Sequence, residues 1–337
     1  MSSYNNVNNL KEEIYMREFL NTYYGIQVNG EVEINGRLGY PDHEYVYFTI
    51  SSNNNKAIHM EQATLAYYLV ENGYPQTAFP IPNLNGEWIT TIEKQNYIVV
   101  KVKSLQNDIL ISHGEMLANF HQRNMAYNYE PQYVSSYGQW KQLWIDKLTF
   151  FEKHITDLAT KKPNSFFRLL MDVLPYMIGI SENAIQYMQE SEFENRYDEA
   201  DQGTIAFHRY QDQLLTSIIW PDDLVYDHIS RDLAEYIRHQ LIANNDLENI
   251  LNFLNDYESI LPLTVFSWRL LYARLLYPIH LYDFIAEILR AEKFDQAKET
   301  FADLIESQMK YEKKLKKLFS DVMTTNKTLQ IPTVHWL

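Results

Sequence analysis

A chain of 337 residues with a net charge of −15 and an isoelectric point near 5.1 has material for one large domain or for two lobes with cores of their own. Its acidity argues against a general nucleic-acid binder, which needs a basic face to displace counterions, and against electrostatic docking on anionic membranes. The absence of cysteine excludes disulfides, thiol nucleophiles and thiolate metal sites, and a hydrophobic fraction of 46% excludes wholesale disorder. The 26 tyrosines supply contact area with a polar tip. They suit either half-buried helix faces or an interaction-prone surface.

The polar start MSSYNNVNNL has no signal-peptide pattern, so synthesis in the cytoplasm is expected, and no run approaches the length of a membrane span. Residues 9–24 read as a helix, with Gly25 as its stop. Asn29-Gly30 and Asn35-Gly36 read as the turns of a small antiparallel meander. A strand is expected over 44–52, then a polar loop at Asn53-Asn54-Asn55, a helix over 57–72 and a proline-rich loop through Pro75, Pro80 and Pro82. Two more strands, 87–93 and 96–103, close this part.

From residue 106 helical periodicity dominates, over 108–127, 138–159, 164–190, 230–243, 246–259, 264–290 and 294–323. The exception is 204–220, two short apolar runs read as strands, the first reaching His208 and the second ending at Trp220-Pro221-Asp222-Asp223. The expected organisation is α+β: a mostly β lobe over 1–105 and a helical lobe over 106–337.

This order of elements resembles the protein-kinase-like fold, in its aminoglycoside-phosphotransferase and choline-kinase branch. Met60-Glu61-Gln62 resembles the glutamate-bearing small-lobe helix. Residues Glu115 to His121 are similar to an "LAxxH" helix, and Asp232 to Arg238 resemble the "DLA" helix that follows the metal-binding strand. Within the branch, PDDLVYDHISRDLAEYIR (221–238), SWRLLYARLLYPIHLYDFIAEIL (267–289) and the ending Ile331-Pro332…His335-Trp336-Leu337 resemble the YutH branch of the CotS-like, spore-coat-associated family.

Phosphoryl transfer needs a lysine on the phosphates, a carboxylate for the acceptor hydroxyl, and an Asn with an Asp for magnesium. The resembling kinases carry H-G-D-x-H-x-x-N. Here that loop reads His208-Arg209-Tyr210-Gln211-Asp212-Gln213-Leu214-Leu215. Tyr210 stands at the base position and Leu215 at the magnesium Asn. A tyrosine is a poor base near neutrality and leucine cannot ligate magnesium. The metal aspartate, counted back from Asp232, falls on Trp220, with Asp222 and Asp223 beside it as substitutes or as parts of a solvated turn. The strand that should carry the phosphate lysine has none, since Lys56 lies beyond it, and Glu61, the one candidate for contact with a nucleotide, has no evident ion-pair partner.

Asp227, His228, Arg231 and Asp232 read as a hydrogen-bonded brace, with Ser230 as helix N-cap. Zinc spacings, nucleophile elbows and Walker or Rossmann glycines are absent. The resemblance therefore implies a pseudokinase with no expected cofactor. It would be made in the mother cell and act through binding surfaces on other spore-coat proteins. The alternative is a small-molecule or protein kinase with a rearranged site, using ATP and magnesium with Asp212 as base and Asp222 or Asp223 on the metal.

Overall fold

The computed structural model describes residues 15–52, 55–92, 94–103, 111–194, 199–325 and 331–334. It resolves into two compact units. The first comprises Met1–Ile111 with Ala126–Ser135 and Asp212–Tyr226, and the second comprises Ser112–Met125, Ser136–Gln211 and Asp227–Leu337. The expected boundary near 105, residues 53–54 of the Asn-rich loop, the start of the first expected helix and the motif residues His335 to Leu337 lie outside the described residues.

In the first unit, α1 (15–24) ends where Gly25 adopts φ +70°. The Gly25 and Ile26 amides bond back to Asn21 O and Leu20 O, which satisfies carbonyls the helix leaves open. Of the two Asn-Gly pairs only Asn35-Gly36 makes a hairpin, because both residues take positive φ, +52° and +73°. It joins β1 (Val32–Ile34) to β2 (Arg37–Pro41). The first expected strand of the meander does not form.

The sheet continues through β3 (Val46–Ser51), β4 (Phe79–Ile81), β5 (Thr90–Ile92) and β6 (Gln95–Val102), in the order β1-β2-β3-β6-β4 with β5 also paired to β6. Strand β4 lies where a loop was expected. Pro80 is tolerated there because β4 is the last strand on that path and Pro80 needs no partner on its outer side. Alternation along β3 and β6 builds two cores. Val46, Phe48, Ile98, Val100 and Val102 face one side, and Tyr47 and Val99 face the other, against Phe19 and Leu20 of α1. Helix α2 (Lys56–Glu71), capped by the Asn55 side chain, completes the unit.

The second unit is helical: α3 (His113–Asn124), α4 (Trp140–Lys161), α5 (Ser165–Glu194), α6 (Ser230–Ile242), α7 (Leu247–Ile260), α8 (Val265–Leu276), α9 (Ile279–Ala291) and α10 (Phe294–Thr325). The helix expected over 264–290 is two helices, because Pro278 lacks the N–H that would carry it on. Strand β7 (Thr204–Phe207) is fully buried, and β8 (Leu224–Asp227) takes the chain from the first unit into the second.

The second expected strand is thus misplaced: Ile218 and Trp220 are apolar because they pack in the Val46–Phe48 core, and Ile219 makes a single parallel bridge to Thr77. Helix α6 is buried on most of its surface, Arg231, Asp232, Glu235 and Arg238 included. Ser230 is its first residue rather than its cap, and its hydroxyl donates to Ser267 O. Among the described residues no helix is long and apolar enough to cross a membrane.

Candidate functional site

The residues that phosphoryl transfer would use fall into both units, and each group has its own geometry. In the first unit, α2, β3 and the 220–223 turn converge, the parts that in a kinase would carry a glutamate, a lysine and a metal aspartate. Asp222 is taken by Arg37, the first residue after the Asn35-Gly36 turn. The Arg37 guanidinium donates to both carboxylate oxygens, at 3.1 and 2.8 Å, and lies 4.2 Å over the Trp220 ring. Such a fork-to-fork pair fixes the carboxylate in direction as well as charge. Trp220 in turn meets Phe48 edge-on at 4.9 Å.

The Gln62 amide donates to the Asp222 carbonyl at 3.3 Å. Burial lowers the His59 pKa below its ordinary value even though Asp222 pulls it up. Asp223 is pushed above the usual carboxylate range, first by burial and then by the charge of Asp222. The cavity among Ile50, His59, Gln62, Ala63 and Asp222 measures about 20 Å³, room for about one water molecule.

Glu61 faces another way. Its carboxylate accepts the backbone N–H groups of Gln132, Tyr133 and Val134 at 2.8, 2.7 and 3.0 Å. That is an anion held by a run of amides, and it ties α2 to the 126–135 segment. On β6, which pairs with β3, the basic residue is Lys101, whose amine sits 4.0 Å over the Tyr45 ring. Asp212 is exposed, and its carbonyl closes a turn onto the amide of the half-buried Leu215.

In the second unit, His208 follows β7 as an exposed residue. Desolvation of the ring, then the charges of Arg231 and Arg209, pull its pKa below the ordinary imidazole range. Tyr210 is fully buried, its hydroxyl 2.6 Å from His113 Nε2 and its ring packed on Phe207.

The four expected brace residues serve three networks. Asp227 accepts from Arg231 Nη1 at 2.6 Å and from Trp140 Nε1 at 2.8 Å. Arg231 then donates to the carbonyls of Phe207 and His208, so it holds the loop after β7 from behind. His228 accepts the Ser230 amide at Nδ1, which leaves its proton on Nε2, facing Asp201 at 3.4 Å. Burial pushes Asp201 up, but hydrogen bonds from His228, Ser267 and Thr264 outweigh it and hold the carboxyl below its ordinary range.

Asp232 accepts the Phe207 amide at 3.0 and 3.2 Å and His121 Nε2 at 3.1 Å, while His121 Nδ1 lies 2.8 Å from the Tyr257 hydroxyl. Among the described residues no group of three or more histidine, aspartate or glutamate side chains is placed to hold a metal ion. Sequence reasoning missed Arg37 and His121. Both had local signals, one as the residue after a tight turn and the other as the histidine of the "LAxxH" helix, but neither partner was near in the chain.

A model of the family described as "Spore coat putative kinase YutH" matches residues 17–318. The chain belongs to this family. Among curated proteins, the endospore coat-associated protein YutH of Bacillus subtilis (strain 168) is 32% identical over 291 residues, covering 81% of this chain and 83% of that protein. Among solved structures, an aminoglycoside phosphotransferase from Alicyclobacillus acidocaldarius superposes with a TM-score of 0.60 at 15% identity, over 90% of this chain and 95% of that one. A spectinomycin phosphotransferase in its AMP-bound complex gives 0.53 at 15% identity, over 89% and 93%. At such identities the likeness is one of fold. The chain has the α+β, kinase-like fold of the aminoglycoside phosphotransferases, with a small antiparallel-sheet lobe and a mostly helical one.

Proposed function

We propose that this YutH-family chain is a pseudokinase that serves the spore coat as a binding or assembly protein, made in the mother cell and carried onto the coat by contacts with other coat proteins. The observation that carries this reading is the Arg37–Asp222 pair. Where a kinase needs a free aspartate for magnesium, a guanidinium from the chain already occupies both oxygens. The other positions agree with it. Tyr210 is buried against His113, Leu215 has no ligating atom, β3 carries no lysine, and the space beside Asp222 measures about 20 Å³. These residues do not fit a magnesium–nucleotide group, so no step is routed through one. The coat setting rests on the printed name of the B. subtilis relative and on the family's description.

The test is made in sporulating cells of the chain's own host. A chain carrying Asp212→Asn and Asp223→Asn lacks the two carboxylates an enzymatic reading would still need and leaves the Arg37–Asp222 pair whole. It is expected to reach the coat in the same amount as the unaltered chain, measured by immunoblot of coat extracts, and to support the same coat morphology. A folded double variant that reaches the coat and leaves it defective would overturn the non-catalytic reading.

A further inference from the structure

The second unit contains a cavity of about 230 Å³ whose charged lining is entirely basic: Lys147, Arg209, Arg231, Arg238 and Arg274. In a chain of net charge −15 this concentration of positive charge needs an explanation. Lys147 and Arg209 stand at the mouth, with side chains 29% and 31% exposed. Arg238 and Arg274 form the floor, at 3% and 6%. Buried guanidinium groups are stable only with counter-charge and satisfied donors.

Three carboxylates serve these five cations. Asp227 holds Arg231, Glu235 is shared by Arg274 at 2.9 Å, Arg238 at 3.0 Å and, more distantly, Arg209 at 3.7 Å, and Asp283 is shared by Lys147 and Arg209 at 3.2 and 2.7 Å. The Arg238 contact is out of line for a hydrogen bond, and the Nε atoms of Arg238 and Arg274 are buried without a partner. Burial, and next the charge of Arg231, lower Arg274 to about 9. The shared Glu235, by contrast, is held far below its ordinary range: burial would raise it, and Arg238, Arg274 and Arg209 prevail. One wall of the cavity is aromatic. Trp144 stacks on Tyr277 at 4.6 Å and on Trp140 at 6.0 Å, with the Arg274 guanidinium 4.6 Å over Trp140.

We propose that this pocket binds a small organic dianion, a phosphomonoester or a dicarboxylate on a flat apolar body. Guanidinium forks match both head groups bidentately. A dianion supplies the counter-charge that three carboxylates leave short, and the indole wall accepts the apolar part. A cavity of about 230 Å³ suits a small molecule. The inference goes beyond the pseudokinase reading and needs neither nucleotide nor catalysis.

Calorimetric titration of the full chain separates the two head groups, with phenyl phosphate and benzene-1,2-dicarboxylate as probes and phenol as the uncharged control. At least one dianion is expected to bind saturably with Kd of about 1 mM or tighter, and phenol not at all. The head group that binds more tightly identifies the natural class. Arg209→Gln and Lys147→Gln, at the partly exposed mouth, are expected to keep the fold by thermal melt and to weaken binding about five- to tenfold each. Arg274→Gln removes a floor guanidinium and should lose the site. The proposal is overturned if neither dianion gives heat at about 20 mM, or if the folded Arg209→Gln and Lys147→Gln chains bind as tightly as the unaltered one.

Discussion

Replacing Asp232 by alanine is expected to destabilise the second unit by about 3–5 kcal/mol, the cost of removing one partner from a buried polar network. Asp232 has no exposed surface, and its carboxylate is the acceptor for both the Phe207 amide and His121. His121 Nε2 faces the Asp232 carboxylate, so the neutral imidazole turns its lone pair on Nδ1 to the Tyr257 hydroxyl, 2.8 Å away. The imidazole proton then sits on Nε2 and points at Asp232. Alanine leaves two buried donors, one backbone and one imidazole, with no acceptor.

Because native chains hold only about 5–15 kcal/mol in all, the Asp232→Ala chain is expected to lose a large part of its margin. Urea unfolding followed by circular dichroism measures this directly. Asp232→Asn, which keeps one acceptor oxygen for the Phe207 amide, should lose less. Equal losses from Asn and Ala would show that the hydrogen bonds are not what Asp232 contributes.

Gly114→Ala is expected to cost about 3 kcal/mol, toward the upper end of what overpacking does. A Cβ at Gly114 would lie 2.2 Å from the Phe253 carbonyl oxygen and 2.9 Å from the Tyr257 amide nitrogen. Both neighbours are backbone of α7, which cannot rotate aside as a side chain can, so α3 and α7 must separate. The helix-propensity gain for replacing a glycine, at most about 1 kcal/mol in a helix interior and smaller in the first turn where Gly114 stands, works in the opposite direction and is the smaller term. The separation would also draw Tyr257 away from His121, so the effect should not be additive with Asp232→Ala. Gly179, in α5, is the control. An added Cβ there meets nothing within 4 Å, and Gly179→Ala should stabilise by about 0.5–1 kcal/mol. Thermal melts of the two alanine variants should therefore move in opposite directions; a shared direction would contradict the packing geometry.

The sequence-legible parts of the fold were those with local signals. Alternation set the faces of β3 and β6, paired positive φ set the Asn35-Gly36 hairpin, and Gly25 ended α1. Strand β4 was hidden by its proline, acceptable only at a sheet edge that pairing elsewhere creates. Ile218 and Trp220 looked like strand residues because burial, not pairing, made them apolar. The burial of α6 was hidden because charged residues are ordinarily solvated, and only the fold brings Asp232 to His121, Arg231 to the Phe207 carbonyl and Glu235 to Arg274.

The degenerate motif positions at the site were legible one by one, at Tyr210, Leu215 and the lysine-less strand. The Arg37–Asp222 pair was not, since it joins residues 185 apart and no pattern within either segment announces the other. Nor did periodicity separate the brace residues into networks, because Asp227, His228 and Asp232 lie within six positions of one another and yet look to Trp140, Asp201 and His121.

The reading of this YutH-family chain as a pseudokinase stands on Arg37, which lies over Trp220 and engages both carboxylate oxygens of Asp222. Titration of the full chain with ATP and magnesium, followed by thermal shift, tests this most directly. A ligand of the native state would add about 2.7 kcal/mol at a hundredfold excess over its Kd and raise the melting temperature with concentration. We expect no rise in melting temperature up to about 10 mM ATP with magnesium, a concentration that would reveal Kd values weaker than 1 mM by the same relation. A saturable, magnesium-dependent rise would mean that Arg37 yields Asp222 to a metal–nucleotide, and would contradict it.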